Sequence, residues 1–402
     1  MLIAHGELLP SHFQEAMDLS QPDFSSGKIV LEIGNERLVS CGRETYVKFI
    51  DTRFFSLRTS GPAVLKAAVT LLTEISRPEY RLIVCRAFAR FLWNKELSWI
   101  TNLLRWLMRH FLVFCLARRP RHAKLVVVDL WDELTIDHRD LWLLKRCDLY
   151  FKRELAQNVW TTLQRVQPPH TTYQIATTNL PFLKLTNKFR TFSIGVSVER
   201  LARFRDAVTG SLESMTKSHD IFFAGTTVYS TVREEGIRRL LKLRAEGYAV
   251  YIPEERISQR EFDQALCASW LVWSPEGCGW DCYRHYEACL AGSIPVINYP
   301  STRRYAPLLD GIHCFYYAME GDDLVQKVRS ALVNKARLAE MAQAARKHVL
   351  QYHTCEHLGA YILSELQFDL GSEMTIAARE QSAATPESET PERPRFHANE
   401  RE

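Results

Sequence analysis

The sequence predicts an α/β protein of two Rossmann-like doubly wound domains, on two observations. From about residue 60 to residue 300, strand-like and helix-like segments alternate. One strand, Lys124–Leu130 (KLVVVDL), is nearly apolar throughout, as in a parallel sheet covered by helices on both faces. The 402-residue chain is 46% hydrophobic, enough for two or three domains with cores of their own.

Residues 1–60 read as a small β-rich N-terminal extension. Lys28–Ile33, Arg37–Cys41 and Tyr46–Ile50 are short runs of Val, Ile, Phe and Tyr separated by turn signals. Residues 61–215 read as the first domain. It has helices over Ala63–Ile75, Leu97–Arg118 and Arg139–Arg146, and strands over Arg81–Cys85, Lys124–Leu130 and Asp148–Lys152. Residues 166–200 are less regular, with Pro168, Pro169 and Pro181, and the polar stretch Thr209–Ser218 marks a boundary.

Residues 216–350 read as the second domain. Strands are expected over His219–Ala224, Tyr248–Ile252, Trp270–Ser274 and Ile294–Asn298. Helices are expected over Thr231–Ala245, stopped by Gly247, over Ser258–Ala268, and over Asp281–Ala291, closed by Gly292. Ser258 and Glu261 make an S-x-x-E capping box for the middle helix. Right-handed crossovers fold such a βαβαβαβ series into one parallel sheet. A helical region with breaks follows from Asp322 to about Leu366. Residues 369–402 are rich in Ser, Thr, Pro and Glu and are expected to be a disordered tail.

The formal net charge of +4, from 51 basic and 47 acidic side chains, argues against nucleic acid as the partner. The 10 cysteines include no C-x-x-C pair and no zinc-like spacing, so no metal is expected and a reducing, cytoplasmic location is. Met1–His12 lacks the basic and apolar regions of a signal peptide. In Leu97–Arg118, Arg105, Arg109 and His110 interrupt a run far short of the roughly 20 residues that a membrane span needs. That segment reads as a largely buried helix. Trp99, Trp106 and the basic stretch Arg118–Arg121 also fit a peripheral membrane helix.

In open α/β sheets ligands bind beyond the carboxyl ends of the strands. Ser274–Pro295 (SPEGCGWDCYRHYEACLAGSIP) has the chemistry for this. The strand ends at Ser274, Gly277 and Gly279 allow a tight turn with close backbone approach, and a helix N-terminus follows to face a diphosphate. Arg284 lies in the first turn as a phosphate fork, and Glu287 lies at i+3, where a carboxylate can accept both hydroxyls of a ribose. The competing reading is an Arg284–Glu287 ion pair on the helix. After the loop at Gly225, Arg233, Arg238 and Arg239 fall on the first turns of a helix, where one of them could reach the same diphosphate across the cleft; the competing reading is solvated helix arginines.

These residues carry a resemblance. Pro275, Gly277, Gly279, Tyr283, Arg284, Glu287, Gly292, Ile294, Pro295 and Val296 match in order the pattern of exostosin-like and related spore-protein-type bacterial glycosyltransferases. Asp220–Gly225 (DIFFAG) with Arg233, and Cys147–Leu155 (CDLYFKREL), resemble further segments of such enzymes. The resemblance is specific over about 218–300 and looser over about 80–218 and 300–366. It implies the GT-B arrangement, two domains facing across a cleft, with residues 351–368 as a helix that crosses back to the first domain. It implies a nucleotide-diphosphate sugar as donor, a UDP-sugar for preference, no obligate cofactor, and a glycan, lipid-linked or protein acceptor. Glu287 would hold the ribose, and Arg284 and Arg233 would stabilise the leaving diphosphate. The absence of any D-x-D agrees with a reaction that needs no metal.

For an acceptor-side base, Asp129, Asp132 and Glu133 lie at a first-domain strand end. Each has a bland alternative as a helix cap or loop acid. Glu276 is a candidate contact to the donor sugar. His285 is a candidate for phosphate, sugar or core, and His353 for the cleft. A nucleotide-sugar epimerase on the same fold and a non-catalytic nucleotide-sugar or glycan-binding protein remain the alternatives.

Overall fold

The protein was analysed as a computed structural model, which describes residues 28–34, 37–43, 45–51, 61–87, 99–137, 140–165, 177–178, 180–204, 216–227, 230–373 and 375–376. The readings of Met1–His12, of most of Thr209–Ser218 and of most of the tail fall outside these residues.

The first sheet has six parallel strands. These are β1 (Val30–Gly34), β2 (Val47–Asp51), β3 (Leu82–Arg86), β4 (Lys124–Asp129), β5 (Leu149–Lys152) and β8 (Phe189–Thr191), in the order β2-β1-β3-β4-β5-β8. Helices α1 (Gly61–Ile75), α2 (Trp99–Ala117) and α3 (Leu141–Arg146) alternate with them. A short antiparallel ribbon of β6 (Gln164–Arg165) and β7 (Thr177–Thr178) precedes β8. The extension expected over residues 1–60 is revised here. β1 and β2 are not an appended sheet, because β1 pairs in parallel with β3 and both strands belong to the first domain. Arg37–Cys41 is a turn, not a strand.

After α4 (Val198–Arg203) the second sheet has five parallel strands in the order β10-β9-β11-β12-β13. They are β9 (His219–Phe222), β10 (Val250–Tyr251), β11 (Ser269–Trp273), β12 (Ile294–Asn298) and β13 (Phe315–Tyr317). The helices are α5 (Thr231–Ala245), α6 (Gln259–Cys267), α7 (Tyr283–Leu290), α8 (Asp323–Leu332) and α9 (Lys335–Tyr352). The Ser258–Glu261 capping box at the start of α6 is formed on both sides.

Side-chain alternation along the strands divides each domain into two apolar layers. In the second, Ile221, Phe223, Leu271 and Trp273 pack towards α5 and α8, while Phe222, Val272 and Ile297 pack towards α6, α7 and α9. In the first, Leu31, Ile83, Leu125 and Val127 face α1, α2 and α3. The opposite face presents Val30, Leu82, Val84, Val126, Val128 and Phe151, and the last helix, α10 (Cys355–Glu365), covers it through Leu358, Ile362 and Leu363, with Leu366 and Phe368 just after the helix. Burying such a side chain contributes about 1.5–3 kcal/mol. The return of α10 from the second domain thus closes the first domain's core.

α2 departs from the buried helix that its composition suggests. Trp99, Leu103, Leu107 and Phe114 are exposed along one face, and Arg118 lies over the Phe114 ring. No described helix is long and apolar enough to cross a membrane.

Candidate active site

In the second sheet the chain leaves β9 to one side for β10 and returns on the other for β11. The carboxyl ends of β9 and β11 therefore frame a crevice at a topological switch point, where α/β sheets bind ligands. The loops beyond these strands hold Gly225 and Ser274–Gly279.

Arg284 projects from the first turn of α7 into this crevice. Its Nη2 donates to the carbonyl of Ala224 at 2.8 Å, and its guanidinium lies 5.0 Å over the Phe223 ring. Its Nε and Nη1 are buried with no hydrogen-bond acceptor among the described residues. Burial, with a smaller contribution from the neighbouring charge of Arg233, pushes its pKa down to about 10, so the group stays cationic at neutral pH. A cation with two buried, unused donors is set up for an anion.

Arg233, at the third position of α5 behind its Ser230 cap, ties the two loops together. Its Nη1 donates to Thr226 O at 2.8 Å and its Nε to Glu276 O at 3.1 Å. The glycines make room for these two side chains. A Cβ at Gly225 would lie 2.6 Å from Arg284 Nη2, and one at Gly277 would lie 2.6 Å from Arg233 Nη2. Neither glycine has a left-handed φ, so both serve close approach rather than a special turn. Arg238 and Arg239 do not join them and pair with Glu235 on their own helix.

Ser274 and His285 buttress the loop from below. Burial lowers the His285 pKa to about 4, so the ring is neutral. Its Nε2 lies 2.8 Å from Trp280 O and donates to it, which leaves Nδ1 to accept from the Ser274 hydroxyl at 2.7 Å. His285 is therefore a core group. Glu276 accepts from Asn298 Nδ2 at 3.0 Å, and its backbone N–H donates to Asn298 Oδ1 at 2.9 Å. Asn298, at the end of β12, thereby orients the loop that faces the crevice.

Glu287 makes no ion pair with Arg284. Its Oε1 accepts from Arg200 Nη1 at 2.5 Å and from Arg203 Nη2, both on α4. The Arg200 guanidinium stacks 3.6 Å over the Tyr283 ring, and Arg203 also pairs with Asp263 at 3.1 Å. The sequence reading missed Arg200 and Arg203, because VERLARF carries no signal beyond two arginines on a short helix.

The glycine loop meets the first domain at Gly279. A Cβ there would lie 2.7 Å from Arg153 Nη2, 2.8 Å from Glu154 Oε1 and 3.1 Å from Asp132 Oδ1. Arg153 is ion-paired with Asp132, whose side chain is 48% exposed. Glu154 Oε1 accepts the Asp281 backbone N–H at 2.9 Å, and burial raises its pKa. Asp281 receives Arg304 at 2.6 Å, the Ile194 N–H at 2.7 Å and the Tyr286 hydroxyl at 2.7 Å. Burial opposes its ionisation, but Arg304 and Arg153 outweigh burial and hold its pKa at about 2. His353 completes this wall, 3.0 Å from Ser193 Oγ and 2.8 Å from Ala306 O.

Asp129 is taken up by partners within its own domain. It is 2% exposed, with Oδ2 accepting from Lys152 Nζ at 3.0 Å and Tyr150 OH at 3.1 Å, and Oδ1 from the Trp131 N–H at 3.0 Å. A buried, ion-paired carboxylate with both oxygens engaged holds the ends of β4 and β5 together. Of the acids on this strand end, Asp132 is the one that the fold brings to the glycine loop.

Among the described residues no group of His, Cys, Asp and Glu side chains is arranged to hold a metal ion. Residues 212–305, which contain Gly225, Arg233, the glycine loop, Arg284 and Glu287, match the family model of the RXYLT1 C-terminal domain. Ribitol-5-phosphate xylosyltransferase 1 of Danio rerio is 32% identical over 80 residues, and the match spans 18% of each chain. Anabaena HepE in complex with UDP is similar in structure, with 12% identity, 84% of this chain and 99% of that one covered, and a TM-score of 0.44. A glycosyltransferase from Rickettsia africae covers 87% of this chain and 99% of its own, at 10% identity and a TM-score of 0.43.

Proposed function

We propose that the protein is a glycosyltransferase that moves a sugar from a nucleotide-diphosphate sugar to a hydroxyl acceptor, with the donor in the β9–β11 crevice. The observation that carries this reading is Arg284, a half-buried cation whose Nε and Nη1 are themselves buried and unused, beside Arg233 at a switch point lined by glycines. When the bond between the sugar's anomeric carbon and the phosphate oxygen breaks, negative charge accumulates on the diphosphate. Arg284 and Arg233 stabilise that charge more in the transition state than in the ground state. Glu287, its Oε1 fixed by Arg200 and Arg203, turns Oε2 to the ribose hydroxyls. Glu276, held by Asn298, faces the donor sugar.

The acceptor enters from the first domain. Asp132 receives its hydroxyl, and Asp129 acts through the β4 and β5 ends rather than as the base itself. The matched segment lies on the donor side, so the sugar in the relative's name carries over better than its acceptor. A UDP-pentose such as UDP-xylose accordingly heads the donor panel, in line with the UDP preference that the exostosin-like resemblance implies.

The test is a thermal-shift series with UDP, GDP, dTDP, CDP and ADP on the wild type and on Arg284→Ala. A ligand at about 100 times its Kd stabilises the fold by about 2.7 kcal/mol. Loss of charge-assisted hydrogen bonds worth about 1.5–3 kcal/mol weakens binding by roughly 10- to 100-fold. One nucleotide is expected to raise the melting temperature of the wild type, and at the same concentration the shift of the variant should fall to about half or less, about 0.4–1.4 kcal/mol of stabilisation. Equal shifts in the variant would remove Arg284 from the site. Nucleotide release from UDP-xylose that depends on acceptor then separates transfer from binding alone.

A further inference from the structure

Two thiols lie in contact across the seam where α10 returns to the first domain. Cys41, in the turn after β1, and Cys355, the first residue of α10, have their Sγ atoms 2.7 Å apart although 314 residues separate them. Their surroundings draw the two segments together. Arg43 Nη1 donates to Cys41 O at 3.0 Å and to Glu356 O at 3.4 Å. One turn along α10, Gly359 passes so close to the 38–39 backbone that a Cβ would lie 2.6 Å from Leu38 O.

Cys355 differs from the other buried thiols. Burial pushes Cys85, Cys147, Cys289 and Cys314 well up. Cys355 is held below its ordinary value by the Cys41 thiol, which hydrogen-bonds to its sulfur, and then by the Glu356 N–H at the start of the helix. Both residues keep some contact with solvent, at 6% and 8% exposure, whereas Cys289 and Cys314 keep none.

We propose that Cys41 and Cys355 are a thiol–disulfide modification site whose closure staples α10 to the first domain. The oxidant is a small disulfide such as oxidised glutathione. The Cys355 thiolate attacks one of its sulfurs, forming a mixed disulfide and releasing one thiolate. Cys41, deprotonated, then attacks the Cys355 sulfur. The Cys41–Cys355 bond forms and a second thiolate leaves. The protons lost by the two cysteines end on the two released thiols, and two electrons reduce the small disulfide. The staple bears on more than one helix. α10 covers a whole face of the first sheet, Thr354 bridges to Val196 in the linker, and His353 lies in the wall between the domains. Closing the bond therefore fixes the domain junction along with the helix. The inference does not depend on the proposed function.

The experiment uses the full chain, reduced and then equilibrated with oxidised glutathione, followed by alkylation, peptide mapping without reductant, and thermal melting. The expected result is a linked Cys41–Cys355 peptide as the main disulfide among the ten cysteines. The oxidised wild type should melt several degrees higher, a shift absent in Cys41→Ser and in Cys355→Ser. Recovery of both cysteines alkylated or singly glutathionylated in the wild type would overturn the proposal, with no need of the variants. A linked peptide without a rise in melting temperature would overturn the stapling.

Discussion

Arg284 and Arg233 place two like charges near one another beyond the carboxyl ends of the second sheet, and glycine is what lets them lie there. At Gly277 the atom that a Cβ would meet first is the far end of the Arg233 side chain, 2.6 Å away, with the Cys282 sulfur not until 3.9 Å. That neighbour can swing aside at little cost to the fold but not to the site. Gly277→Ala is therefore expected to keep its stability within about 1 kcal/mol of wild type, read as a nearly unchanged melting temperature. Nucleotide affinity by calorimetry should fall about tenfold, one charge-assisted hydrogen bond's worth. Unchanged affinity would place Arg233 outside the donor site.

α10 joins the end of the second domain to the core of the first. Its 11 residues cap the second face of the first sheet, and the approach is tightest at Gly359, where the neighbours are backbone atoms, Leu38 O at 2.6 Å and Val39 Cα at 3.0 Å. Two effects compete in Gly359→Ala. Alanine favours the helix by about 1 kcal/mol over glycine. Overpacking against backbone that cannot rotate away costs about 1–3 kcal/mol. Overpacking is expected to win, lowering the melting temperature by a few degrees in a thermal scan. A stabilised variant would show that α10 lifts freely from the 38–39 turn.

Across the whole molecule, acid should act through two buried histidines, His285 under the glycine loop and His353 in the wall between the domains. His285 and His353 are buried and neutral, their pKa values pushed down by burial to about 4 and about 3. In the unfolded chain both titrate near 6.5. Between pH 6.5 and about 4 the unfolded state thus binds protons that the folded state refuses, and stability falls by about 1.4 kcal/mol per pH unit for each histidine. Asp281, depressed to about 2, adds a further loss only below about pH 4, where its unfolded counterpart gains a proton before it does. A series of melting curves should therefore show a steady decline from pH 7 to pH 4. His353→Gln should lessen the slope if it folds, and a flat wild-type profile would mean that the buried histidines are not neutral.

The alternation of strand and helix, the apolar strand Lys124–Leu130, the Ser258–Glu261 cap and the glycine loop with Arg284 were all legible in the sequence. Each depends on residues within a turn or a strand of one another, and local periodicity and backbone sterics act at that range. What lay beyond that range came only with the tertiary structure. Strand order is not a local property, so Val30–Asp51 reads as a separate small sheet until β1 is seen beside β3. β13 is three residues, Phe315–Tyr317, too short to show a period. Arg284 and Glu287 share a helix face at i+3, yet Arg284 turns to β9 while α4 supplies two arginines to Glu287 from over 80 residues away. Asp129 and Asp132 are alike on paper, and the pairing of β4 with β5 buries one against Lys152 while Arg153 carries the other to the glycine loop. Spacing along the chain determines which side chains share an element. Which charges meet is decided by how the sheets and helices pack, since a buried charge must find its partner wherever the fold puts one.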